Sequence, residues 1–166
     1  REAALEPERE TVLEQLPRRQ ELPEVGTPCA LVLGEDGTVA VAWANGVCVV
    51  PPLERDDRLE ALLGPETPKT CHDLKTCLHH LEALGLPREG FQFDTALAAY
   101  DLNPSQGDYR LSQVAMAYLG RTPEGLEDRA AAVWQLRTCL EPKLEEQGME
   151  SLYRENDLHL WMTLNG

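Results

Sequence analysis

Basic residues are scarce in this sequence. Against 29 Asp and Glu there are 15 Lys and Arg, a formal net charge of −14 over 166 residues. Affinity for a nucleic-acid backbone comes mainly from Lys and Arg, so the chain does not read as a protein that grips phosphates by itself. The same shortage excludes a basic amphipathic membrane binder. Long apolar runs are missing too, none approaching the roughly 20 residues of a spanning helix. The opening Arg1-Glu-Ala-Ala-Leu-Glu-Pro-Glu lacks the apolar stretch of a signal peptide. A soluble, cytoplasmic protein is expected. Aromatic residues are only 5% of the chain, but hydrophobic residues reach 42%, enough for a packed core and too many for a disordered acidic tail. The length suits one domain, or one with a short appendage. Arg1 and the ending Leu164-Asn-Gly166 read as cut points inside a longer chain.

Five cysteines, Cys29, Cys48, Cys71, Cys77 and Cys139, cannot all pair within one chain. They fall in apolar patterns and read as reduced, small core residues.

The first 22 residues are charged, with Leu5, Val12, Leu13 and Leu16 at helical spacing, and read as a linker or peripheral helix. Beyond them Cys29–Leu33 predicts a strand, Gly34-Glu-Asp-Gly37 a turn, and Thr38-Val-Ala-Val-Ala-Trp43 a second strand. Asn45-Gly46 is a two-residue hairpin signal leading into Val47-Cys-Val-Val50, stopped by Pro51-Pro52. An antiparallel meander results. From 55 the pattern turns helical. Helices are predicted over 55–63, 72–86, 96–102, 111–119, 126–146 and 152–164, with short strands at 69–71 and 90–93. Strands first, helices after, and a late strand between them predict an α/β domain with a mixed sheet.

The run Lys69-Thr-Cys-His-Asp-Leu-Lys75, then Gly85-Leu-Pro-Arg-Glu-Gly-Phe-Gln-Phe-Asp-Thr-Ala-Leu-Ala-Ala-Tyr-Asp-Leu-Asn-Pro104, then Tyr109-Arg-Leu and Ala117-Tyr-Leu-Gly120, resembles the 3′–5′ exonuclease domain of bacterial family A DNA polymerases, DNA polymerase I. The resemblance covers about 25–162 and is strongest over 69–120. The stretch Leu140-Glu-Pro-Lys-Leu-Glu-Glu-Gln-Gly-Met-Glu-Ser-Leu-Tyr153 resembles the segment joining that domain to the polymerase domain. On this reading 1–22 is the linker, 23–150 the exonuclease-like domain and 151–166 the start of the connection. The resemblance implies a ribonuclease-H-like fold in a bacterial, cytoplasmic protein of DNA replication and repair. Its partner is the polymerase domain of the same chain, with DNA met through that parent enzyme, no membrane, and a monomeric fragment.

Active members of the family hold two divalent metals with an Asp-x-Glu on the first strand, an Asp closing Asn-x-x-x-Asp, and an Asp closing Tyr-x-x-x-Asp. Hard cations need those oxygens to activate water and stabilise a leaving phosphodiester oxygen. Here the first strand reads Ala30-Leu-Val-Leu-Gly-Glu35, with no Asp-x-Glu. The second motif reads Asp73-Leu-Lys-Thr-Cys77, with Cys77 in the metal-binding place. The third runs from Gly125 to Arg129, and Arg129-Ala-Ala-Ala-Val133 ends in no carboxylate. All three are broken together. The expectation is a vestigial nuclease fold with no catalytic residue, metal or cofactor of its own, serving as a structural module for a DNA-directed DNA polymerase. Two alternatives remain, a working exonuclease using displaced carboxylates and an acidic protein-interaction domain.

Other groups invite chemistry and have simpler readings. Cys71, His72, Cys77, His79 and His80 suggest zinc, but adjacent His79 and His80 diverge by about 100° on a helix. Cys77 then packs in the core, and His79 and His80 face solvent. Asp94, at a strand-to-helix switch, reads as a helix N-cap rather than a catalytic acid. Glu35 and Asp36 read as turn residues. Tyr100, Tyr109 and Tyr118 lack interleaved basic residues for base stacking; Tyr100 and Tyr118 are expected in the core, as is Trp134. Trp161 reads as a contact for the polymerase domain.

Overall fold

In a computed structural model, residues 15–148 are described. Five strands form one sheet in the order β3-β2-β1-β4-β5. Strands β1 (Cys29–Leu33), β2 (Val39–Trp43) and β3 (Gly46–Val50) make the antiparallel meander, and β4 (Lys69–Cys71) and β5 (Phe91–Asp94) add to β1 in parallel. Every residue of β2 is buried, as is all of β1 but Leu33. Their unbroken apolar sequences therefore reflect a sheet covered on both faces. The helices are α1 (Asp57–Leu62), α2 (Leu74–Leu84), α3 (Thr95–Leu102), α4 (Leu111–Leu119) and α5 (Gly125–Glu146).

Helix α5 lies across β1 to β4, and α2 packs against β1. Ala130, Ala131 and Ala132 let the α5 backbone approach the strands, while Val133, Leu136, Leu140 and Leu144 are fully buried. Each such Leu contributes about 1.5–3 kcal/mol of burial. Trp134, expected in the core, is only half-buried and packs against the edge of it. One residue beyond Val133 it turns about 100° off the buried stripe.

The hairpin differs from its sequence signal. Trp43 pairs with Gly46, so Ala44 and Asn45 form the turn and Gly46 belongs to β3. Glycine is needed there for another reason. A Cβ on Gly46 would sit 2.8 Å from the Pro17 carbonyl and collide with the Arg19 side chain. The segment carrying those residues is extended, not helical: Arg19 N–H donates to Val47 O (2.7 Å) and Val47 N–H to Pro17 O (2.9 Å). This strap covers the open edge of β3, a protection that edge strands commonly need. The helix expected at 152–164, and Trp161 in it, lie outside the described residues.

At the opposite side of the sheet Lys69 is fully buried. Its ammonium donates to the carbonyls of Gly64 (2.8 Å) and Thr67 (3.0 Å) and lies 5.5 Å from the centre of the Phe91 ring. Nothing in the sequence pattern singled it out. It ties the loop after α1 to the sheet.

Candidate functional site

The parallel strands β1, β4 and β5 end on the same edge, the usual location of binding crevices in open α/β sheets. Here they deliver Leu33, Cys71 and Asp94, and the chain turns into α2 and α3 straight after β4 and β5. Above this edge lies a cleft of about 520 Å³. Its walls include Leu31, Val32 and Leu33 of β1, Asp73, Thr76, Cys77 and His80 around α2, Arg110 and Leu111 at the start of α4, and Arg129 of α5. Residues of all three sequence motifs thus meet in one cavity.

The floor is a knot of hydrogen bonds centred on Asp94, whose side chain is almost wholly buried. It accepts from Ala96 N–H (2.8 Å) and Leu97 N–H (3.4 Å), capping α3. It also accepts from Asp73 N–H (2.9 Å) and Leu74 N–H (2.8 Å), at the start of α2. One carboxylate therefore serves the positive ends of two helices and satisfies donors that would otherwise be stranded. The cap on α3 has the form its sequence position suggests. The second helix was not legible there, because β4 must first pair with β5 to set Cys71 opposite Asp94.

The same knot moves the start of α2. The spacing predicts a helix from 72, yet it begins at Leu74, since Asp73 takes a left-handed backbone (φ 73°). That conformation is costly for a non-glycine residue, roughly 1–3 kcal/mol, and is held by its surroundings. Asp73's own carboxylate accepts from Thr76 N–H (3.4 Å) and the Thr76 hydroxyl (3.0 Å). Thrown out of the helix, His72 bridges two elements. Nε2 is 2.6 Å from the Tyr109 carbonyl, which can only accept, so Nε2 carries the hydrogen. Nδ1 lies 2.7 Å from the Thr95 hydroxyl. Burial pushes the His72 pKa below its usual value, against the attraction of Asp94 and Asp73, and the charge of Arg129 adds to the lowering. The lowered pKa favours the neutral ring, whose Nδ1 meets the Thr95 hydroxyl, a group that also donates to the Cys71 carbonyl (3.3 Å). The sequence reading gave neither Thr95 nor Tyr109 this part. Their only signal was a place in the family-like stretch.

The mouth of the cleft is different. Cys77 is buried among apolar neighbours beside Cys71. Burial, then the hydrogen bond with Cys77, drive the Cys71 pKa well up. Cys29, shut in the core, is pushed up to about 12 by burial. None of the five cysteines is in a disulfide. His79 is exposed, but His80 is half-buried and turned into the cleft. Arg129 is exposed, and Gly125, where the third motif begins, is the first residue of α5 with a left-handed backbone (φ 81°). Arg110 donates through Nε and Nη2 to Asp108. Tyr100, expected in the core, is instead 45% exposed, its ring edge-on to Tyr109 at 5.5 Å. Tyr118 is half-buried against the core. Asp36 sits in the turn, where its carboxylate accepts from Thr38 N–H (3.0 Å), and this bond lowers its pKa.

A pair of hard divalent cations does not fit these donors. The carboxylate in the wall, Asp73, is held by Thr76, both His72 nitrogens are engaged, Cys77 is a soft thiol, and two arginines add positive charge. Among the described residues no group of three or more His, Cys, Asp and Glu is placed to share an ion. Among them too, no helix is long and apolar enough to cross a membrane.

No family model matches the chain. It is 38% identical to DNA polymerase I of Mycobacterium leprae over 64% of its own length and 13% of that protein's. The Mycobacterium tuberculosis polymerase is 38% identical over 63% of this chain and 12% of that one. The chain thus spans about an eighth of the length of these curated relatives. Among solved structures, the POL domain of Pol1 from M. smegmatis, in complex with DNA primer-template and dNTP, matches with a TM-score of 0.70 and 26% identity, over 83% of this chain and 29% of that one. NrnC of Brucella melitensis, with bound Mg²⁺, matches over 92% of this chain and 95% of its own at 17% identity, with a TM-score of 0.65; at that identity the likeness is one of fold. The chain is homologous to a segment of mycobacterial DNA polymerase I and has a ribonuclease-H-like fold.

Proposed function

We propose that this chain is the exonuclease-like part of a DNA polymerase I in which metal-dependent hydrolysis has been lost and the scaffold is kept as a structural module. One observation carries the reading: the end of β1, which holds no Asp-x-Glu, comes together with Cys77 and Arg129 in the cleft, where two-metal chemistry would need carboxylates. Asp36, a displaced candidate in the turn after β1, is committed to Thr38 N–H. The domain would brace the polymerase domain of the same longer chain, which would make the contacts with DNA during replication and repair in the bacterial cytoplasm. By itself it would be a monomer with no affinity for DNA of its own.

The test is hydrolysis of 5′-labelled single-stranded DNA by the purified chain in Mg²⁺ or Mn²⁺, beside a mock preparation. No shortening above the mock is expected, and metal-dependent ladders from the 3′ end would overturn the reading. Cys77→Asp alone should leave the result unchanged, since the other two motif positions still lack carboxylates.

A further inference from the structure

Two thiols are in contact where β4 ends and α2 begins. Alternation along β4 turns Thr70 toward α5, where Arg137 donates to its hydroxyl (3.2 Å), and sends Cys71 to the opposite face of the sheet. On α2 the buried residues are Leu74, Cys77 and Leu81, a stripe at spacings of three and four. Cys71 and Cys77 meet there and share a hydrogen bond. Asp94 fixes the pair from both sides. It stands opposite Cys71 in the sheet and accepts from Leu74 N–H, one helical turn before Cys77. The two differ in access: Cys71 is sealed at 0% exposure, whereas Cys77 keeps 6% and lines the wall of the cleft. A small solute entering the cleft therefore reaches Cys77 first. The other cysteines are placed elsewhere, with β2 between Cys29 and Cys48, and Cys139 on α5.

We propose that Cys71 and Cys77 form a reversible redox latch, closing to a disulfide when a hydroperoxide enters the cleft and opening again to a dithiol reductant. Cys77, as the thiolate, attacks the outer oxygen of the peroxide. The O–O bond breaks, the leaving oxygen takes the Cys77 proton as water or alcohol, and Cys77 becomes a sulfenic acid. The Cys71 sulfur then attacks the Cys77 sulfur. The S–S bond forms, the S–O bond breaks, and the departing hydroxide takes the Cys71 proton as water. Two thiols are oxidised and one peroxide is reduced. Burial keeps Cys71 protonated until then, so it does not compete for the oxidant. Closed, the latch ties β4 to the first turn of α2 and fixes the turn 72–76, which carries His72 and Asp73. The inference goes beyond the reading of a structural module, and its readouts are independent of the nuclease assay.

The experiment treats the whole chain with hydrogen peroxide, then denatures it in N-ethylmaleimide and maps the peptides by mass without reduction. The chain should lose about 2 Da, with Cys71 and Cys77 joined and the other three cysteines alkylated. Dithiothreitol should restore the mass. The oxidised chain should melt roughly 4–8 °C higher, because the cross-link restricts the unfolded state. Cys71→Ser should stop at the sulfenic acid, a gain of about 16 Da that dimedone traps at Cys77. Cys77→Ser should give neither product. The map of the unsubstituted chain decides the matter even if a variant fails to fold. Alkylation of both Cys71 and Cys77 after peroxide would overturn the proposal. So would a different pair joined to the same extent, the same mass loss in Cys71→Ser, or an oxidised chain that melts no higher.

Discussion

The floor of the cleft and its mouth meet around the start of α2, yet they are built on opposite principles. At the floor, Asp94, His72, Thr95 and the Tyr109 carbonyl are buried or half-buried and joined in a connected set of hydrogen bonds. At the mouth, Cys77 is buried beside Cys71, Arg129 makes no hydrogen bond or ion pair among the described residues, and Asp73 is turned to its own helix. A buried polar group without a partner costs about 1–3 kcal/mol, whereas an exposed arginine costs nothing to leave alone. Stability therefore constrains the floor strongly and the mouth weakly. A scaffold released from catalysis can change at the mouth and still fold, provided the knot beneath is kept.

That contrast is most easily broken at Asp94. Asp94→Ala strands donors at the starts of both α2 and α3, and should cost about 3–5 kcal/mol by urea unfolding, the sum of two lost caps and the desolvated amides. A cost under about 1 kcal/mol would mean that the floor does not hold the two helices together. Asp94→Asn keeps an acceptor and should fall between.

Thr95→Val removes the hydroxyl that meets His72 Nδ1 and donates to the Cys71 carbonyl, leaving buried polar groups unpaired, for an expected loss of about 1–2 kcal/mol in the same assay. Alternatively, the His72 ring can be probed by pH. Its pKa is lowered on folding, so the unfolded chain binds the extra proton first. The stability from the neutral ring is complete above the ordinary histidine value of 6.5 and is lost as pH falls from there through the folded pKa. Melting temperatures between pH 7 and pH 5 should decline with a contribution from this ring of at most about 1.4 kcal/mol per pH unit. His72→Gln should flatten that slope while lowering stability at pH 7. An unchanged slope would remove His72 from the account.

Smallest of all should be the effect of Arg129→Gln on folding, about 0.5 kcal/mol or less in the same unfolding assay. A larger loss would show the mouth to be structural after all. Manganese should behave in keeping with this: calorimetric titration is expected to find no site tighter than about 1 mM, and a tighter one would show that the lining still gathers ligands for a cation.

Much of this was legible in the residues. The all-apolar runs of β1 and β2, the breaks at Gly34, Pro51-Pro52, Gly85 and Gly120, and the stripe along α5 locate most elements, because burial and turn chemistry are local or periodic properties. Leu111–Leu119 is the clearest case, opened by polar residues and closed by a left-handed Gly120. Where the reading missed, a distant contact had intervened. Gly46 is a strand residue because the strap crosses it, and Tyr100 is exposed because its side of α3 meets only the edge of Tyr109. Helix α2 starts late because Asp94, 20 residues downstream, claims the Leu74 amide. Lys69, which no sequence pattern singled out, is an internal tie, since two loop carbonyls accept from its ammonium.

By itself the sequence determined that the chain forms an α/β domain with a meander first, that its charge is strongly negative, and which residue types stand at the three motif positions. Each of these follows from composition or from spacing along the chain. Only the tertiary structure decided that Val32, Cys77 and Arg129 share one cleft, and that one carboxylate caps two helices beneath it. Parallel pairing of β1, β4 and β5 is a long-range event, and it gathers three strand ends on the edge where the cleft lies. It also brings Arg110 and Arg129 into the lining of that cleft in an otherwise acidic molecule, a juxtaposition that no local pattern encodes.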